Sequence, residues 1–172
     1  MLEWQSDKRW SDRFLPEIKQ ILGHYLINEP PIEEDTERNT DLTVLRLDPI
    51  RVACRIRKYP YYLDYPNEFT VRERRPSGAT TELAKIIQGW GDYLFYGFAD
   101  QAEENLLAWR LIDLSEFRLW FTTSLAALDQ FVYPGIGKSN QDESSSFRVF
   151  NIDKIDPACI IARHDPMVAV ST

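Results

Sequence analysis

Arg51, Arg55 and Arg57 define the chemistry to look for, because a strand would carry all three on one side. In Arg51-Val-Ala-Cys-Arg-Ile-Arg57 the two-residue repeat of a strand puts Val52, Cys54 and Ile56 on one face. Arg51, Ala53, Arg55 and Arg57 fall on the other. Guanidinium groups in such a row suit oxyanions, being planar, permanently charged and able to donate paired hydrogen bonds. The next run, Glu68-Phe-Thr-Val-Arg-Glu-Arg-Arg75, adds Arg72, Arg74 and Arg75, and Glu73-Arg74-Arg75 forms an acid-x-cation triplet. Between residues 51 and 75 these cations and Lys58 outnumber Asp64, Glu68 and Glu73, although the whole chain carries a net charge of −7. Two readings stand at this point. One is a basic strip on an acidic body that binds phosphate. The other is a set of arginines paired with acids, Glu73 with an arginine of a neighbouring strand among them.

The elements that must position these groups follow from periodicity. Phe14, Ile18, Ile21, Leu22 and Tyr25 predict a helix over 11–26, with Ser11 as its cap or Pro16 in its first turn. An acidic loop follows, and Asp41–Leu47 reads as a strand joined to 51–57 by a tight Asp48-Pro49 link, as in an antiparallel hairpin. Residues 59–66 hold four tyrosines and two prolines and read as a loop whose Tyr61, Tyr62 and Tyr65 suit stacking or an interface. Thr81 caps a helix to Gly89, with Glu82 in its positive first turn. Asp92–Phe98 and Leu106–Ile112 read as strands, with Trp90, Tyr93 and Tyr96 as core or edge packing. A long amphipathic helix follows to about Phe131, with Leu114, Phe117, Phe121, Leu125 and Leu128 inward. Phe147–Ile152 reads as a late strand, and Asp156-Pro157 opens a short final helix to about Arg163.

Size and composition bound the rest. A chain of 172 residues, 44% of them hydrophobic, supports one domain over 1–172, with a core of about 10–132 and a strand and short helix at 147–163 packed on it. No apolar run approaches the roughly 20 residues of a spanning helix, and the first ten residues lack the apolar segment of a signal peptide. Cys54 and Cys159 are read as buried free thiols, which fits a cytoplasmic location. His24 and His164 are too few for a histidine metal site or a triad, and His24 is expected to be exposed.

Helix, three strands, helix, strand, strand is an order that resembles the αβββαβ core of restriction-endonuclease-like (PD-(D/E)XK) nucleases. The segments that carry the resemblance are TDLTVL, RVACRIRK, EFTVRERRPSG, TELAKI, GWGDYLFYGF and LLAWRLIDLSEFRLWF, within residues 10–132. It implies an α/β fold with a mixed central sheet flanked by helices. It also implies nucleic acid as partner and Mg²⁺-dependent phosphodiester cleavage as the activity. Asp41 matches the family's first acid. The Glu-x-Lys motif falls on Ala53-Cys54-Arg55, so its lysine slot holds Arg55 and its glutamate slot holds no carboxylate. Glu73 then becomes the replacement acid, and Asp41 with Glu73 the expected metal ligands. Glu17, Asp35, Glu37 and Glu68 are further candidates. Arg57, Lys58, Arg72, Arg74 and Arg75 would hold the phosphate backbone. The departure at Ala53 leaves three roles open: a Mg²⁺-dependent endonuclease, a catalytically inactive scaffold of the same fold, or a homodimeric interaction domain built on helix 114–132, with Trp120 and Phe121 near its centre.

Overall fold

The computed structural model describes residues 3–28, 43–44, 50–126, 134–139 and 145–166. They fall into two compact units, Met1–Pro49 and Ile50–Thr172. The first contains helices α1 (Glu3–Asp12) and α2 (Leu15–Leu26) and the short antiparallel pair β1 (Ile27–Asn28) and β2 (Thr43–Val44). The single helix expected over 11–26 is therefore two. The Ser11 hydroxyl donates to the Lys8 carbonyl at 3.0 Å, inside the last turn of α1, so it does not cap α2. Pro16 sits in the first turn of α2, where a missing N–H is harmless. Phe14 and Ile18 are buried, and Trp10 meets Phe14 edge to face at 5.3 Å.

The second unit is a mixed α/β arrangement of two sheets with helices. The larger sheet runs β3 (Val52–Arg57), β5 (Tyr93–Ala99), β6 (Leu106–Asp113), β9 (Ile160–His164). Its first pair is parallel and the others are antiparallel. The smaller is antiparallel, in the order β4 (Glu68–Arg74), β8 (Ser146–Asn151), β7 (Ile136–Ser139). Helices α3 (Tyr59–Asp64), α4 (Glu82–Ile87) and α5 (Leu114–Ala126) complete it. Alternation along β5 and β6 sends Leu94, Tyr96, Phe98, Ala108 and Ile112 to one face. There they pack with Phe69, Val71 and Phe150 of the smaller sheet and with Leu83, Ile86, Leu114, Phe117 and Phe121 of α4 and α5. Phe69 stacks on Phe150 at 5.2 Å and meets Tyr96 at 6.2 Å, so aromatic rings join the two sheets.

Several local expectations change. β3 and β4 stand in different sheets, and Thr43–Val44 pairs with Ile27–Asn28, whereas residues 45–49, with the Asp48-Pro49 link, lie outside the described residues. The tyrosine run forms α3 because Lys58 is extended at its start and Pro60 falls in the first turn. The expected final helix stops after one 3₁₀ turn, Pro157–Cys159, capped by the Asp156 carboxylate. The β-branched Ile160 and Ile161 then extend as β9. Leu125, expected inward, is 50% exposed, and Leu128 lies outside the described residues. Cys159 is fully buried as expected, but Cys54 is exposed on the edge strand β3. Among the described residues no helix is long and apolar enough to cross a membrane.

Candidate functional site

The parallel register pairs Ala53 with Leu94, Arg55 with Tyr96 and Arg57 with Phe98. The arginine row of β3 therefore lies on the inner face of the larger sheet, opposite β4 and α4. Two interlocked clusters result. Arg55 donates through Nη2 to Glu82 at 2.5 Å and through Nη1 to the Thr70 carbonyl at 3.1 Å. The same Glu82 oxygen accepts the Arg72 backbone N–H at 3.0 Å. The pair thus serves the Thr70 carbonyl and the Arg72 amide, the two backbone groups that a neighbouring strand would otherwise bond. Arg57 donates to the Tyr96 hydroxyl at 2.9 Å and the Thr70 hydroxyl at 2.5 Å, and lies over the Tyr61 ring at 5.3 Å. The Arg55 and Glu82 side chains keep 24% and 25% of their surface. Loss of water lowers the Arg55 pKa; Glu82 opposes the shift, while Arg57 and Arg72 add to it.

The other expected site residues divide. Glu73 is held by Arg148 of β8, which donates from Nε at 3.0 Å and from Nη2, the cross-strand pairing that its position also suggested. Lys58 lies 4.0 Å from Glu103. Arg72 is half-buried, whereas Arg74 and Arg75 are exposed at the end of β4 and have no ion pair among the described residues. Asp41, with Asp35 and Glu37, lies outside the described residues. Among the described residues no three His, Cys, Asp or Glu side chains gather as a metal site, and Glu73, one of the two expected Mg²⁺ ligands, is committed to a cation.

Three features escaped the residue-level reading. Glu82 acts as the partner of Arg55 across 27 positions, which no local spacing reveals. Arg110 is fully buried, donates to the Pro66 carbonyl at 2.7 Å and to Asp165 at 2.5 Å, and leaves Nε and Nη1 without partners among the described residues. A cue existed for it: Arg110 shares the inward parity of Ala108 and Ile112. Trp90, read as packing, is 62% exposed. Of the two aromatics expected near the centre of a homodimer helix, Phe121 is buried and Trp120 packs against the core, whereas Leu119 of the same helix is 62% exposed. No protein-family model, no curated protein and no solved structure matches this chain.

Proposed function

We propose that this chain is a cytoplasmic, nucleic-acid-binding domain of nuclease-like architecture in which Arg55 and Glu73 serve the fold. Phosphate contact falls to the cations left over. The observation that carries the reading is that Arg74 and Arg75 are exposed and have no ion pair among the described residues, beside Arg72, while Arg55 and Glu73 each hold a counter-charge. Guanidinium groups presented in this way suit a phosphate backbone and fix position without reading sequence. An exposed free thiol at Cys54 suits a reducing compartment.

The test is fluorescence anisotropy with labelled single-stranded and duplex oligonucleotides across a salt series, alongside incubation with Mg²⁺ or Mn²⁺ and gel analysis. Binding should weaken as salt rises, and Arg74→Ala/Arg75→Ala should lower the slope of log K against log salt by about 1.4–1.8. Metal-dependent cleavage abolished by Glu73→Gln would restore the enzymatic role. Absence of salt-sensitive binding to either oligonucleotide would end the nucleic-acid reading.

A further inference from the structure

A hollow of about 290 Å³ opens beside the first residues of β3, walled by Val52, Ala53, Ile86, Leu94 and Leu114. That falls just below the roughly 300–1,000 Å³ typical of ligand pockets. Arg51, Lys85 and Trp90 also line it. Among the described residues the indole makes no ring contact, and it is 62% exposed, an unusual state for so large an apolar group. Neither Arg51 nor Lys85 has an ion pair among the described residues, and Glu82, the one acid in the lining, is neutralised by Arg55. The lining is therefore cationic at Arg51 and Lys85 and apolar inside, with the Asp92 carboxylate held on the Arg51 amide beside it.

The walls are fixed in place. Trp90 sits between Gly89 and Gly91, both at positive φ (+89° and +81°), and its N–H donates to the Lys85 carbonyl at 2.9 Å. Across the hollow, the Arg51 N–H donates to the Asp92 carboxylate at 2.6 Å, and the Arg51 carbonyl accepts from Asp92 and Tyr93. Aromatic surface and cations held on rigid backbone are what an unstacked base and its phosphate require.

We propose that this hollow takes one unstacked nucleotide of a single strand, its base against Trp90 and its phosphate between Arg51 and Lys85. The assignment rests on the nucleic-acid reading above and adds a subsite to it. Ala53 contributes by its small side chain, leaving open space where a longer one would project.

The experiment is anisotropy titration of a labelled single-stranded oligonucleotide, and of a blunt duplex, against the wild type and variants. Trp90→Ala should weaken single-strand binding about 5- to 150-fold, the range for losing one base–aromatic stack, and Trp90→Phe should recover most of it. Lys85→Gln should lower the single-strand salt slope by about 0.7. The melting temperature of each variant, expected to match wild type because the indole is exposed, separates lost contact from lost fold. Single-strand binding by Trp90→Ala within twofold of wild type, with Arg74→Ala/Arg75→Ala impaired, would remove the subsite and leave the nucleic-acid reading standing. Equal loss on the blunt duplex would also overturn the subsite, as would displacement of the oligonucleotide by a poly-glutamate peptide at matching concentration. A wild type that binds neither oligonucleotide would sink both.

Discussion

Arg110 and Arg74 each stand on a strand of the second unit, yet they differ in almost everything that decides a role. Arg110 is enclosed in the core, clamped by Asp165 and the Pro66 carbonyl, with its guanidinium 5.6 Å from the centre of the Phe98 ring. Arg74 ends its strand in the open, with no counter-charge among the described residues. Arg55 is intermediate, keeping about a quarter of its side-chain surface. The lesson is that an arginine becomes structural in proportion to the water it has lost, because a desolvated cation must find fixed partners or destabilise the fold. A solvated one stays available to ligands.

That gradient can be broken by experiment. The largest effect is expected from Asp165→Ala, which strands the Arg110 charge inside the core and should cost about 3 kcal/mol in denaturant unfolding. Arg110→Met, which removes the charge and both unpartnered nitrogens together, should cost less than Asp165→Ala. If the two costs are reversed, Arg110 is not the burdened member of the pair.

A second measurement probes the same interior through pH. Burial, chiefly, pushes the Cys159 thiol up from 9.0 to about 12. Above pH 9 the unfolded thiol loses its proton while the folded one keeps it, so the unfolded state is favoured progressively until about pH 12. This stabilisation is whole below pH 9 and lost at up to about 1.4 kcal/mol per pH unit above it. Cys159→Ala should flatten that alkaline slope relative to wild type, whatever its cost at neutral pH. Parallel slopes for the two proteins would place the thiol within reach of water.

Arg55→Ala comes next. It removes a charge-assisted bond to Glu82 and the donor to the Thr70 carbonyl, for about 2 kcal/mol, and Arg55→Lys should fall between alanine and wild type because it keeps charge without the fork. Smallest is Arg74→Ala/Arg75→Ala, which should shift stability by less than about 0.5 kcal/mol while lowering oligonucleotide affinity. A double variant that unfolds as readily as Arg55→Ala would erase the distinction between the two ends of the series.

What the sequence disclosed follows the same line between local and distant causes. The β5–β6 hairpin and α4 were legible because their signals are local: apolar runs, the Thr81 cap and the Gly89 stop. β7 carries no such signal, since Ile136–Ser139 is exposed throughout and has two residues, Gly137 and Lys138, that favour other structures. The face carrying Arg55 and Arg57 was read correctly from parity, but its covering was not. Whether it meets solvent or β4 depends on Thr70 and Glu82, 15 and 27 positions away. The exposure of Trp90 was hidden for the opposite reason: its aromatic type argues for burial, whereas it stands 62% exposed between two glycines at positive φ.

The Arg55–Glu82 pair has one more consequence, for how copies of this protein meet. At Thr70 and Arg72 the rim of the smaller sheet already has its carbonyl and amide occupied. A strand from another molecule would have to evict a linked ion pair before it could add there. Lateral growth of the sheet into fibres is therefore blocked at that stretch by two side chains that contribute no backbone of their own.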